Sequence, residues 1–155
     1  MKNQVILFQF LFICSFTFGQ QPLKSDLLYA DQTPMEIKLN YSNKNVKKKT
    51  NDSTFIETDL NFMNEGKWNT IPVRLRARGN FRRAKCYFPP IKMKIKKSQS
   101  KNTVFTGNKS LKLVLPCRTE NAKNDNILKE YIAYKIYELI SPYHFKTRRV
   151  NVDFT

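Results

Sequence analysis

Apolar and polar residues alternate with a period of two along one stretch of the chain, residues 71–96. Between Ile71 and Arg78 aliphatic side chains alternate with arginines, and between Ile91 and Lys96 isoleucine and methionine alternate with lysine. Strict alternation of this kind predicts two half-buried strands. If the two strands pair in one sheet, six cations line one of its faces: Arg74, Arg76, Arg78, Lys92, Lys94 and Lys96.

The same period predicts four more strands, at residues 35–41, 55–62, 111–115 and 150–154. Residues 126–141 predict a helix instead, because apolar side chains recur there every three or four positions. The residues of this stripe are Leu128, Ile132, Ile136 and Leu139. We therefore predict an α+β fold, a mainly antiparallel sheet of five or six strands with one helix packed against it. The polar stretches 42–53, 79–90 and 97–103 predict loops, the first with a solvated run of lysines.

The N-terminus has the pattern of a secretory signal peptide. Lys2 precedes an apolar run from Val5 to Phe18, and Thr17 and Gly19 are small residues at the positions that a signal peptidase reads. The run is short for a membrane span of about 20 residues, so a membrane anchor is the less favoured alternative. We predict a cleaved signal peptide at residues 1–19 and one domain at residues 20–155. The mature protein would be secreted, periplasmic or attached to the cell envelope, without stable membrane insertion.

Basic residues outnumber acidic ones by 28 to 12, which gives a formal net charge of +16. Loss of Lys2 with the signal peptide lowers this charge only to +15. A charge of this size predicts attraction to polyanions such as nucleic acid, acidic polysaccharide or anionic lipid headgroups. It also leaves few carboxylates for acid–base catalysis or for metal binding.

Two cysteines, Cys86 and Cys117, remain after signal cleavage. In an exported protein such a pair predicts a disulfide, and each cysteine lies beside a predicted strand of the same sheet. Two cysteines and the single His144 cannot supply a four-ligand zinc site. His144 follows Pro142 closely and is expected to be a surface or turn residue. The sequence contains no GxSxG, P-loop or HExxH motif.

The predicted cationic sheet face is the best candidate for a binding site. Arginine offers a planar fork of donors suited to phosphate or carboxylate, and lysine adds a point charge. Gly79, which follows Arg78, would let the backbone approach an anion closely. The alternative is a solvated sheet face without a ligand, on which lysine and arginine also discourage aggregation.

Several motifs resemble those of CotH-like proteins, a family of secreted or coat-associated atypical kinases related to the spore-coat kinases. The run Arg76-Ala77-Arg78-Gly79-Asn80, followed by Lys92-Met93-Lys94-Ile95, resembles the family signature RxRGN…(K/R)xKF. Residues 127–134 resemble its LLRNxLAY helix, and residues 143–154 resemble the basic strand that follows. Cys86 with residues 88–90, and residues 113–117, resemble an exported bacterial subgroup. The resemblance covers residues 70–155.

This resemblance implies the N-terminal half of a kinase-like fold, with ATP and magnesium as cofactors. The nucleotide-cradling residues would be Arg76, Arg78, Lys92 and Lys94. By analogy with kinases, Lys92 or Lys94 is expected to pair with a helix glutamate, Glu130 or Glu138.

The chain also departs from the family pattern. Phe88-Pro89 stands where the family has a lysine pair, and Lys129-Glu130 stands where it has Arg-Asn. The later NGxYxGxYxxxE run, with the acidic residues expected to bind magnesium, is not in the sequence. We therefore expect an incomplete CotH-like domain that does not transfer phosphoryl groups by itself. Two alternatives stay open: a basic extracellular module that binds acidic polysaccharide or nucleic acid, and a structural envelope protein.

Overall fold

The computed structural model describes residues 23–119 and 125–154, and the predicted signal peptide lies outside this range. The fold is α+β, as predicted, with six strands in one sheet of order β5-β4-β3-β2-β1-β6. Neighbouring strands are antiparallel except β1 and β6, which are parallel. The strands are β1 Met35–Leu39, β2 Ile56–Asn64, β3 Lys67–Ala77, β4 Ile91–Ile95, β5 Ser110–Leu113 and β6 Val150–Asp153.

A tight hairpin joins β2 to β3. Its two turn residues, Glu65 and Gly66, have φ values of 50° and 75°. A two-residue hairpin of this type needs positive φ at both positions, and glycine adopts it without steric cost. β3 begins at Lys67, four residues before the predicted start at Ile71. The sequence did not indicate this earlier start, because residues 67–70 are exposed and show no apolar alternation. The long β2–β3 pair forms the centre of the sheet.

One face of the sheet carries the hydrophobic core. The buried residues of the strands are Met35, Ile37, Leu39, Leu60, Phe62, Ile71, Val73, Leu75, Ala77, Ile91, Met93 and Ile95. They occupy alternate positions, so the period-two pattern identified the core face correctly. Leu28, Val46, Phe105 and Leu115, from outside the strands, complete this buried cluster. The ring of Phe105 packs edge-on against Phe62, with their centroids 4.9 Å apart.

Three of the stretches predicted as loops contain short helices, so those predictions were wrong. After a 3-10 turn at Lys24–Asp26, the helices are α1 Leu27–Ala30, α2 Asn43–Lys49, α3 Asn80–Lys85, α4 Lys97–Ser100 and α5 Asp125–Ile140. α2 holds the lysine run that we expected at a solvated loop tip. Its one apolar residue, Val46, is fully buried, and the Ser42 hydroxyl caps its N-terminus by accepting from the Asn45 N–H at 3.3 Å.

α2 and α3 are held together by the basic residues that follow Gly79. The Arg83 guanidinium donates to the carbonyl of Lys47 at 2.7 Å and also to that of Thr50, at the C-terminal end of α2. These carbonyls have no partner within the helix, so a cationic donor satisfies and stabilises them. The buried Thr50 hydroxyl in turn accepts from the Ala77 N–H at 3.1 Å, which connects this end of α2 to β3.

α5 forms where the sequence predicts a helix, but it lies in the opposite orientation. The stripe expected to face the sheet is exposed, from 45% at Leu128 to 85% at Leu139. The half-buried positions include Tyr131 and Tyr134 instead. The Tyr131 hydroxyl donates to the Gln32 side chain at 3.2 Å, and Tyr134 packs edge-on against Phe145. No helix in the described ranges is long and apolar enough to span a bilayer.

Arg148 fastens the N-terminal segment to the chain just before β6. Its guanidinium donates to the carbonyls of Leu28 and Thr33, each at 3.1 Å, and pairs with Asp31 at 2.6 Å. The side chain of Arg148 is only 8% exposed. Hydrogen bonds from the Thr33 N–H and hydroxyl hold the pKa of Asp31 below its ordinary value, and Arg148 lowers it further. Asp31 therefore stays charged at neutral pH and keeps its attraction for Arg148.

Arg148→Ala is expected to lower the free energy of unfolding by about 2 kcal/mol, because two carbonyls lose a charged donor. Urea denaturation of the full chain measures this loss. Arg149→Ala is the control, with the same change in charge at the next residue. The Arg149 guanidinium lies over the Tyr131 ring at 5.7 Å, so its removal should cost only about 0.5 kcal/mol. Equal losses in the two variants would show that the bonds of Arg148 add nothing specific.

Candidate anion-binding face

The strand register brings the predicted cations together on the polar face of the sheet. Arg74 lies directly opposite Lys94, and Arg76 lies opposite Lys92. β5 adds Lys112, which lies opposite Lys92 on the other side of β4. Residues directly opposite each other in a ladder point to the same face. We call this group, Arg74, Arg76, Lys92, Lys94 and Lys112, the cation face.

Two of the six predicted cations lie beyond the paired strands. Arg78 follows β3, and its N–H donates to the Pro90 carbonyl at 2.9 Å, so it borders the cation face. Lys96 follows β4 and immediately precedes α4. Gly79 has φ 73°, and a Cβ placed there would meet nothing within 4 Å. The turn from β3 into α3 therefore favours glycine at position 79 because of the positive φ, and not because another group packs closely against it.

Like charges oppose one another on this face with little compensation. Directly opposed cations on neighbouring strands repel each other and destabilise the pair. Within the described part of the chain, only one ion pair reaches the cation face, that of Arg76 with Asp52 at 2.5 Å. The Asp52 side chain is itself 93% exposed. Glu57 lies opposite Arg74 across the β2–β3 ladder. The face therefore carries a local excess of positive charge.

Phe55 lies among three of these cations. Its ring centroid is 4.6 Å from Lys94 Nζ, 5.7 Å from the Arg74 guanidinium carbon and 5.8 Å from that of Arg76. The negative face of an aromatic ring attracts cations, so Phe55 holds these side chains close to the sheet. The Nε atoms of both arginines are buried and have no hydrogen-bond partner among the described residues. A buried donor without an acceptor costs about 1–3 kcal/mol, so these two atoms add to the unfavourable energy of the cation face.

The kinase-like pairing of a strand lysine with a helix glutamate is not present. Among the described residues, no ion pair joins Lys92 or Lys94 to Glu130 or Glu138. Glu138 instead accepts from Lys135 at 2.5 Å, which lowers the pKa of its carboxyl group. That prediction was therefore wrong, because it assumed that α5 faces the lysines.

The predicted disulfide is confirmed. Cys86 and Cys117 are bonded, with their Cα atoms 4.5 Å apart. The Tyr87 N–H donates to the Cys117 carbonyl at 2.8 Å, so the bond and its neighbours tie the end of α3 to the chain after β5. The disulfide borders an open cleft of about 530 Å³. The residues that line this cleft are Phe81, Arg82, Cys86, Cys117, Arg118, Asn126, Ile127 and Glu130.

Other potential ligand groups are dispersed. In residues 23–119 and 125–154, no three histidine, cysteine or acidic side chains come together as potential metal ligands. His144, which we expected at the surface or in a turn, lies half-buried in the irregular segment after α5, with Nδ1 2.8 Å from the Ser141 carbonyl and Nε2 3.9 Å from Glu138. The cation face is therefore the strongest candidate site.

Sequence reasoning identified most of this site but missed three contributors. Lys112 could have been found, because Ser110, Leu111, Lys112 and Leu113 alternate in the same way as β4. Phe55 and Asp52 gave no comparable signal, since their positions depend on how the chain enters β2.

Comparisons of the chain with protein-family models, with curated proteins and with solved structures found no match.

Proposed function

We propose that the protein binds the phosphate groups of a nucleotide on its cation face. The observation that carries the proposal is the direct opposition of Arg74 to Lys94 and of Arg76 to Lys92. This arrangement weakens the sheet unless an anion lies between the cations. A bound phosphate would turn the repulsion between these cations into attraction.

The chemistry of the face suits phosphate in particular. Guanidinium groups present pairs of N–H donors that match two phosphate oxygens, and the ammonium groups add charge without a fixed direction. Neighbouring strands lie about 5 Å apart, and successive residues on one face about 7 Å apart. The cations therefore form a compact array that can contact more than one phosphate group of the same molecule.

The resemblance to CotH-like proteins supports ATP as the nucleotide. The RxRGN motif lies on β3 and the turn after it, and the KxK motif lies on β4. The two motifs thus contribute Arg76, Lys92 and Lys94 to one face, with Arg78 at its border. The proposal concerns binding alone, because phosphoryl transfer also requires a metal ion and a group that positions the acceptor.

A general affinity for polyanions is the second candidate. The net charge of +16 and the lysine run of α2 favour it, because positive charge is spread well beyond the cation face. Acidic polysaccharide or nucleic acid would then bind diffusely. The disulfide is typical of an oxidising compartment, which supports the export predicted from the N-terminus under either proposal.

Lys92→Ala is expected to weaken ATP binding about tenfold, because an oriented site depends on a few charged donors. Lys92 is the central cation of a row, lying opposite both Arg76 and Lys112. Calorimetric titration of the full chain with ATP and with heparin measures the change. Heparin affinity should fall less than about twofold, since one charge among many is lost.

Lys67→Ala is the matched control for this experiment. Lys67 begins β3 at the hairpin and is exposed, so the variant loses the same charge on the strand next to β4, at the end of β3 away from the cation face. Its affinity for both ligands should change less than about twofold. Salt dependence does not separate the two candidates, since any cationic surface is screened. Small and equal losses of ATP and heparin affinity in both variants would contradict the nucleotide-binding proposal and favour diffuse binding of polyanions.

A further inference from the structure

The face of α5 that points away from the protein is almost entirely apolar. Within residues 126–140, the exposed positions are Asn126, Leu128, Lys129, Ile132, Ala133, Ile136, Tyr137, Leu139 and Ile140, and Lys129 is the only charged residue among them. The charged residues Glu130, Lys135 and Glu138 lie on the half-buried side. A surface helix normally has the reverse arrangement, with its charged side toward water.

Specific contacts fix this orientation of the helix. Tyr131 is held by its hydrogen bond to Gln32 and lies against the Arg149 guanidinium. One turn later, the Tyr134 ring packs edge-on against Phe145. The two tyrosines and the Lys135–Glu138 pair occupy the inner side, so the aliphatic stripe is left outside. This stripe is therefore a defined feature of the surface.

The apolar surface continues past the end of α5. Ile140 and Tyr143 are 73% and 88% exposed, and Phe145 is 64% exposed. Large apolar surfaces of this kind, when they are exposed in a folded protein, mark interaction sites. We define the apolar ridge as Leu128, Ile132, Ile136, Tyr137, Leu139, Ile140 and Tyr143.

We propose that the apolar ridge docks onto an anionic lipid surface. Aliphatic side chains with tyrosine and lysine among them have the composition of a helix that lies in the headgroup region. The 16 residues of α5 would extend about 24 Å along the membrane plane. The net charge of +16 supplies the complementary attraction to anionic headgroups.

The same charge disfavours a second copy of the chain as the partner. Two molecules of charge +16 repel each other at low ionic strength, whereas an anionic membrane attracts each of them. The lipid proposal is independent of nucleotide binding, because the apolar ridge and the cation face share no residue.

Ile132→Ser combined with Ile136→Ser is expected to weaken binding to vesicles of phosphatidylglycerol and phosphatidylcholine at least tenfold, because two aliphatic side chains no longer enter the membrane. Co-sedimentation of the full chain with the vesicles measures the affinity. Leu23→Ser combined with Leu27→Ser is the control, since these leucines are 69% and 55% exposed on another part of the surface. The control should bind like the unmodified chain, and all chains keep the same N-terminal apolar run.

A second measurement does not depend on the folding of the serine variant. With Trp68 replaced by Phe, Tyr137→Trp leaves one tryptophan in the chain, on the apolar ridge. Its emission should shift to shorter wavelength when anionic vesicles are added, because the indole leaves water. An unshifted emission, or equal vesicle binding by the unmodified chain and the serine variant, would overturn the proposal. So would a dimer in sedimentation velocity that the serine variant abolishes, because a second copy would then cover the ridge.

Discussion

Replacing both Cys86 and Cys117 by alanine is expected to lower the free energy of unfolding by about 3–4 kcal/mol. The two cysteines are 31 residues apart in sequence. Without the bond, the unfolded chain regains the freedom of a loop of that length, so unfolding becomes more favourable. Cys86 is buried, which makes alanine a better replacement than serine because it introduces no polar atom into the core.

Urea denaturation of the double variant against the oxidised protein measures this difference. The unmodified protein with its disulfide reduced is the matched control, and it should lose a similar amount of stability. Mass spectrometry of the oxidised protein should find no alkylated thiol at either position. A loss below about 1 kcal/mol would mean that the unfolded state is already restricted in this region.

The sheet could be predicted from the sequence because burial on one face imposes a period of two. Residues 71–77 and 91–95 show this period, and the structure pairs them in the register that places their cations together. The sequence also indicates the turn at Glu65-Gly66, since glycine is typical of the positive φ that a tight hairpin requires. The sequence does not indicate the start of β3, because Trp68 and its neighbours are exposed and show no apolar alternation.

The short helices could not be predicted from periodicity. α2 and α3 have fewer than two full turns, and α2 contains a single apolar residue, Val46. Such short helices are not stable by themselves. α2 persists because Val46 is buried and because Arg83, more than thirty residues later in the chain, donates to its terminal carbonyls. A pattern within the segment does not contain that information.

The orientation of α5 was missed for a different reason. Its aliphatic stripe satisfied the helical period, and a helical period predicts which side is apolar but not what that side faces. In the structure, Tyr131 and Tyr134 make the inward contacts through a hydroxyl and an aromatic edge. Tyrosine can serve either as a core or as a surface residue, so its preference was not evident from the sequence.

The candidate site shows the same division between local and distant information. The alternation within β3 and β4, together with their pairing, was enough to predict that Arg74, Arg76, Lys92 and Lys94 share one face. The side chains that modulate them, Asp52 and Phe55, come from the segment that leads into β2. Asp52 is the only anion paired with this face among the described residues, and a bound phosphate would compete with it for Arg76.

Lys94→Glu is expected to stabilise the fold while removing its ligand. The new carboxylate would lie directly opposite Arg74 in place of a like charge. Relief of the repulsion and the new attraction each contribute up to about 1 kcal/mol, and loss of the Lys94 contact with the Phe55 ring takes back about 0.5–1 kcal/mol, so the free energy of unfolding should rise by about 0.5–1 kcal/mol. The affinity for ATP should fall about 100-fold, because the site loses one charged donor and gains a competing anion.

Lys96→Glu separates these effects from the change in net charge. Lys96 follows β4, is exposed and pairs with no strand, so this variant should alter stability by less than about 0.5 kcal/mol and ATP affinity by about twofold. Urea denaturation and calorimetric titration of both variants give the two quantities. A binding site whose cations repel one another predicts opposite changes in Lys94→Glu, a higher free energy of unfolding and a lower affinity for ATP. If Lys94→Glu instead lost stability, the opposed cations would not be repelling one another, and the cation face would be a solvated surface without a ligand.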